Sequence, residues 1–137
     1  MDAVSYRFDC EGVNWSDLEA LFVIADLGGR AGDKIRRAFE QSSHVCFAYQ
    51  GSRLVGASRA LTDGEYHALI YDVVVHPDCQ RQGIGSAMLH ALLARLPVWR
   101  VMLVADHDVQ PFYSQFGFAP YGDVLARLDW ERLYDAT

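Results

Sequence analysis

The spacing of apolar residues changes period along the chain, and the changes divide it into elements. Val4–Phe8 reads as a short first strand. Leu18, Leu21, Phe22 and Ala25 return at i, i+3, i+4 and i+7, which predicts an amphipathic helix over Trp15–Leu27. Asn14 or Ser16 offers its N-cap, Ser16 with Glu19 has capping-box spacing, and Gly28-Gly29 is the expected stop. Ile35, Ala38 and Phe39 share one face of a second short helix over Asp33–Gln41.

The pattern then becomes strand-like. His44–Tyr49 and Leu54–Leu61 are joined by Gln50-Gly51-Ser52-Arg53, a hairpin connection. Asp63-Gly64 turns the chain into Tyr66–His76, its most β-prone stretch, which Pro77 ends. Ile84, Met88, Leu92 and Leu96 form a four-residue ridge, predicting a helix over Gly83–Leu96 closed by Pro97. Val98–Ala105 reads as a buried strand, Val109–Phe116 as a short helix, and Tyr121–Trp130 as the last strand or strands. The order is a β-meander followed by β-α-β-α-β. The fold class expected is α+β (mixed α/β), one domain over residues 1–137 built on one sheet.

Composition narrows the function. At 137 residues, 51% hydrophobic and 22% charged, the chain is globular and long enough for one sizeable core. Twelve Lys and Arg against eighteen Asp and Glu give a formal charge of −6, the wrong sign for neutralising phosphates. Nucleic acid and anionic membrane are therefore not expected as partners, whereas a cationic substrate suits the balance. No apolar run approaches the ~20 residues of a membrane helix. Met1–Cys10 mixes Asp2, Arg7 and Asp9 into its apolar residues, unlike a signal peptide, so a cytoplasmic address is expected. Cys10, Cys46 and Cys79 cannot all pair and form no C-x-x-C, so free thiols are the simplest reading. His76 and Cys79 stand three apart, but no second pair completes a metal site, and none is expected.

The chemistry concentrates in Val73-Val74-Val75-His76-Pro77-Asp78-Cys79-Gln80-Arg81-Gln82-Gly83-Ile84-Gly85-Ser86. It reads as strand, tight loop, glycines, helix. A helix start offers unpaired N–H groups and a positive dipole end to a phosphate, and Gly83 and Gly85 remove side chains that would block the approach. The loop lacks the Gly-Lys-Ser/Thr of a Walker motif and the third glycine of a dinucleotide fingerprint. By itself, a glycine-relaxed connection explains it equally well.

Gln80-x-x-Gly83-x-Gly85 after a Val-rich strand resembles motif A of the GNAT superfamily of acyl-CoA-dependent N-acyltransferases. Phe112-Tyr113-Ser114-Gln115-Phe116-Gly117-Phe118 resembles the same superfamily's motif B ending, one helix and one strand later. The resemblance spans roughly the whole chain. It implies a central, mostly antiparallel sheet flanked by helices and splayed between its fourth and fifth strands, with the pantetheine arm of acetyl-CoA in the gap. By this resemblance Val73, Val74 and Val75 lie along the arm, with the Val73 and Val75 main chain pairing to its amides. Gln80, Arg81, Gln82, Gly83, Ile84, Gly85 and Ser86 surround the pyrophosphate, with an ordinary solvated Arg81 an equal alternative. Asp106 occupies a position where the family often has Asn, and a carboxylate accepts but does not donate. Phe112 is counted on the cofactor side, with core packing as its other reading. His107 and Asp108 read as a surface-loop pair.

The resemblance implies an acetyl-CoA-dependent N-acetyltransferase using direct transfer in a ternary complex, with a small-molecule primary amine as acceptor. A protein Lys or N-terminal acetyltransferase and a non-catalytic acyl-CoA sensor are the alternatives, and a homodimer is left open. Acyl transfer to an amine needs a route for the ammonium proton and a donor to the leaving thiolate. Tyr113 stands where family members often place a tyrosine facing the CoA sulfur; packing is its other reading. Asp72 interrupts an apolar strand, where a carboxylate is costly unless exposed, paired or used. Relay of the amine's proton through water and an edge-facing or ion-paired role stand side by side for it. His67 and His76 are the other candidate bases, and Cys79 reads as incidental. The run Asp72-Val73-Val74-Val75-x-Pro77 with Phe112-Tyr113 is similar to a branch that includes plant-plastid and cyanobacterial serotonin-type acetyltransferases.

Overall fold

A five-stranded sheet in the order β1-β2-β3-β4-β5 organises the chain, with helices on both faces. The computed structural model describes residues 3–132. Met1, Asp2 and the residues after Arg132, which the domain reading over 1–137 includes, lie outside the described residues. The strands are β1 (Val4–Arg7), β2 (His44–Gln50), β3 (Arg53–Thr62), β4 (His67–Val75) and β5 (Arg100–Met102). The helices are α1 (Trp15–Ile24), α2 (Gly32–Glu40), α3 (Ile84–Ala94) and α4 (Gln110–Ser114). β1 to β4 pair antiparallel, and β5 joins β4 in parallel. This is the mixed α+β sheet expected from the sequence.

Strand alternation sorts the core into two layers. Val45 and Phe47 of β2 face α1 and α2, where they meet Leu18, Phe22 and Phe39. Phe39 and Phe47 lie 5.4 Å apart, with Trp15 edge-on to Phe47. Cys46 and Ala48 face the other way, onto Ile84, Met88, Leu89 and Leu92 of α3. The ridge read from the sequence is this buried stripe, and Leu96 extends it beyond the helix.

Besides shifts of one or two residues at the ends of α2, α3 and α4, three elements differ from expectation. α1 is capped by Asn14, whose side chain accepts from the Ser16 and Asp17 N–H groups. It ends before Gly28-Gly29, because Asp26 takes the left-handed conformation at φ 60°. The Asp26 and Leu27 N–H groups then bond to the Val23 and Phe22 carbonyls, closing the last turn. β5 is three half-buried residues rather than Val98–Ala105, and Val104 is 89% exposed. Tyr121–Trp130 carries no strand; Leu125 and Trp130 project outward at 97% and 70% exposure, so no core face fixes a period-2 register there.

Gly56 on β3 marks the closest approach in the α3 layer. A Cβ there would lie 3.0 Å from Met88 Cε, 3.2 Å from Ala48 Cβ and 3.2 Å from the Val74 carbonyl oxygen. Met88 can swing aside, but the other two cannot. Gly56→Ala should therefore destabilise the fold by about 1–2 kcal/mol through overpacking. Urea unfolding checks this, and equal or greater stability would contradict the packing described.

Candidate active site

β4 and β5 hold together only at His67–Arg100, Ala68–Val101 and Leu69–Met102. Beyond Leu69, β4 runs on to Val75 with no strand neighbour on that edge among the described residues. The splay expected between the fourth and fifth strands is this divergence. A strand edge left open presents unpaired N–H and C=O groups.

Which groups face the gap is decided by a bulge. Ala57 pairs with Val74 and Arg59 with Tyr71, so Ser58 alone opposes both Asp72 and Val73. Asp72 adopts φ 58°, a left-handed conformation that short polar residues tolerate. Before the bulge, the Tyr66 carbonyl accepts from Arg100 N–H of β5, while the His67 carbonyl accepts from Asp63 N–H on the β3 side. After it, His76 N–H bonds to the Val55 carbonyl of β3. Alternation from that point turns Val74 toward β3 and directs the main chains of Val73 and Val75 into the gap. Without the extra residue the parity would be reversed. Val74 is thus distinct from its neighbours: its side chain is buried in the α1/α2 layer.

Two guanidiniums hold the bulge. Arg30 Nη1 donates to Asp72 Oδ1 at 2.8 Å, and Arg59 Nε donates to Oδ2 at 2.6 Å. The Asp72 side chain is 9% exposed and each arginine 16%. Arg30 also stacks over Phe22, and Arg59 over Phe39 and Tyr71. The ion-paired reading of Asp72 therefore describes its contacts. Neither arginine stands in a motif or spacing that marks it in the sequence. Arg59 interrupts an apolar strand just as Asp72 does, a signal that was available; Arg30 sits in an irregular loop and gave none.

The loop after β4 runs through the 3₁₀ turn Pro77–Cys79 into α3. Gln80, Arg81, Gln82 and Gly83 are exposed, and the Gln80 amide lies 3.4 Å from the Val75 carbonyl. Arg81 and Gly83 have φ of 66° and 81°. Gly83 caps α3 without any side-chain hydrogen bond, and the first turn contains no acidic residue. The α3 amides therefore begin at an open, glycine-relaxed loop, the form a pyrophosphate requires. Ile84 is buried and contributes main chain there, while Ser86 is half-buried. A Cβ on Gly85 would lie 3.5 Å from the Phe112 ring and 3.6 Å from Val75 Cγ2, so the loop, β4 and α4 converge at this point.

α4 brings Phe112 and Tyr113 to the α3 layer, with their rings edge-to-face at 5.0 Å. Tyr113 also meets Phe118 edge-on, and burial pushes its phenol above the ordinary value. Asp106, His107 and Asp108 lie exposed before α4, and the Asp106 carbonyl accepts from Val109 and Gln110. His67 stands at the paired end of β4, beside Trp99 and away from the gap. Cys79 is 3% exposed, and burial raises the Cys46 thiol to about 11. Among the described residues no three His, Cys, Asp or Glu side chains gather as a metal site.

On the opposite face, a cavity of about 310 Å³ is lined by Arg30, Lys34, Ile35, Phe39, Asp72 and Arg132 among others. Asp72 thus touches both the gap, through its bulge, and this cavity, through its side chain.

Comparison with known proteins places this arrangement. Residues 10–118 match the model of the acetyltransferase (GNAT) family. An uncharacterised N-acetyltransferase of Porphyra purpurea is 32% identical over 132 residues, covering 91% of this chain and 76% of that protein. Serotonin N-acetyltransferase 2, chloroplastic, of Oryza sativa subsp. japonica is 33% identical over 133 residues, covering 92% of this chain and 66% of that protein. In structure, a GNAT family acetyltransferase of Streptococcus pneumoniae TIGR4 superposes with a TM-score of 0.76 at 24% identity, covering 93% of this chain and all of that one. At that identity the likeness speaks to fold alone.

Asp72→Asn removes the charge but keeps a side chain that tolerates the left-handed bulge. It leaves two largely buried guanidiniums around a neutral amide, and should cost about 3 kcal/mol of stability. Urea unfolding at neutral pH checks this; a loss below about 0.5 kcal/mol, the level of an exposed pair, would contradict the clamp.

Proposed function

The chain belongs to the GNAT acetyltransferase family, and from that premise we propose that it moves an acetyl group from acetyl-CoA to the primary amine of a small molecule, by direct transfer in a ternary complex. One observation carries the reading: the open β4 edge, the uncapped start of α3 and the Phe112 ring of α4 converge at Gly85, and the Tyr113 ring packs against Phe112 at 5.0 Å.

In this reading the Val73 and Val75 main chain pairs with the pantetheine amides as an added strand would. The N–H groups of Gly85 and Ser86, with the exposed Gln80–Gly83 loop, take the pyrophosphate. Phe112 walls the gap beside Gly85. The acceptor nitrogen attacks the thioester carbonyl, the C–S bond breaks, and Tyr113 gives its phenolic proton to the departing thiolate; the second proton, shed by the acylated nitrogen, returns through water to the tyrosinate. The ammonium's own proton leaves earlier, to water. Both Asp72 oxygens hold guanidiniums, so its role in this scheme is to fix the bulge that orients Val73 and Val75.

The acceptor side modifies an expectation drawn from net charge. The cavity beside Asp72 is lined by Arg30, Lys34, Arg132 and the Asp72 carboxylate, with Arg59 on the second Asp72 oxygen and Asp129 pairing with Arg132 at 3.4 Å, so cations outnumber carboxylates there in a chain of net charge −6. That lining favours an acceptor bearing a carboxylate or phosphate beside its amine over a purely cationic one. Thiol release from acetyl-CoA across small amines, in pairs with and without an anionic group, tests both points alongside a peptide panel. Turnover on small amines, about tenfold better with the anion, is expected on the scale of one charge-assisted contact. Turnover on peptides alone, or none on any amine, would overturn the proposal.

Tyr113→Phe keeps the ring packing and deletes the hydroxyl. A fall in kcat of roughly 10²–10⁴-fold is expected of a lost proton donor. A free phenol titrates near ~10, and burial raises that of Tyr113. The wild-type rate should therefore decline only above that value, as the donor ionises, and this alkaline limb should vanish in the variant. A variant that keeps both its rate and the limb would return Tyr113 to packing alone.

A further inference from the structure

His76 stands between the end of β4 and the loop that leads to α3, and no step above uses its side chain. Its main chain is fixed on both sides: N–H to the Val55 carbonyl at 2.8 Å, and C=O from the Cys79 N–H at 2.8 Å. Its ring is enclosed, with 13% of the side chain exposed. Nδ1 accepts from the Asp78 N–H at 3.1 Å, which makes the imidazole the side-chain cap of the Pro77–Cys79 turn. Nε2 lies 3.1 Å from Arg53 Nη2 of β3.

Two donors therefore face a ring that has one in-plane lone pair when neutral and none when protonated. The charged groups around it are Arg53 from β3, Asp78 from the turn itself, and Asp17 from α1 across a shared cavity of about 240 Å³. The Asp78 carboxylate is 3.8 Å from Nδ1 and 3.7 Å from Arg53 Nη2, so it serves the guanidinium as much as the ring. An imidazolium would keep that one attraction. It would lose the cap to the Asp78 N–H and stand against a guanidinium.

We propose that His76 is a positioning residue for the acyl-CoA loop: its neutral ring pins the turn that sets residues 80–83 ahead of α3, and protonation of the ring releases it. The inference rests on the reading of that loop as the pyrophosphate site. It makes acetyl-CoA affinity fall as the ring gains a proton, since an imidazolium has no lone pair for the Asp78 N–H. The free coenzyme's own phosphates also titrate, so wild type alone cannot decide the matter. His76→Asn can, because an Asn side-chain oxygen accepts from the N–H two residues on and does not titrate.

Calorimetric titration with CoA from pH 8 to pH 5.5 reads the effect in wild type, His76→Asn and His76→Leu. Relative to His76→Asn, wild type should lose about fivefold more affinity across the range, the scale of one hydrogen bond. His76→Leu should bind about fivefold more weakly than wild type at pH 8. Identical pH profiles for wild type and His76→Asn, or wild-type affinity in His76→Leu, would overturn the role. The Asp78 amide protection factor in the ligand-free protein provides a readout independent of CoA. It should fall with pH in wild type, hold in His76→Asn and be low throughout in His76→Leu. If the protein binds no CoA at pH 8, the loop's function is misread, while the amide pattern still decides whether His76 holds the turn.

Discussion

The carboxylate of Asp72, gripped by Arg30 and Arg59, is the interaction on which the rest of the site depends. It joins the loop after α1 to β3 and β4, and it does so at the residue that gives β4 its extra position. Burying these charges costs desolvation, and only close, hydrogen-bonded pairing offsets it. The gain is geometric. One inserted residue reverses which main-chain groups of β4 face outward, and thereby places Val73 and Val75, rather than Val74, on the open edge.

The sheet also separates two tasks. On its α3 face lie the glycine-relaxed helix start, Phe112 and Tyr113, all suited to an acyl-CoA. On its α1/α2 face lies the cavity lined by Arg30, Lys34, Asp72 and Arg132, where the proposed scheme seats the acceptor. The divergence of β4 from β5 is the only break between these faces that the described strands provide, and the proposed transfer is placed there. Tyr113 packs on the α3 face, against Phe112 and Phe118.

Much of this was legible in sequence because it rests on local periodicity. The Ile84–Leu96 ridge, the hairpin and the Val-rich strand are patterns within one element, and the two GNAT-like motifs lie within single loops and helices. Asp72 was visible as a misfit in an apolar strand. Arg59 gave the same signal on β3, but Arg30 gave none, since it stands 42 residues away and no spacing rule connects them. The bulge was equally hidden, because a one-residue slip is a property of two strands together. Val98–Ala105 has a strand's composition, yet it pairs for only three residues, since splaying removes the neighbour it would need. Tyr121–Trp130 has a strand's residues without a partner edge or a core face.

Amide hydrogen exchange, with and without CoA, tests the central claim that the bulged edge of β4 and the start of α3 together receive the acyl-CoA. Protection should rise at Val73, Val75 and the first turn of α3, and stay unchanged at Val74, whose N–H already faces β3. Protection confined to other elements, or equal gains at Val73, Val74 and Val75, would contradict the account.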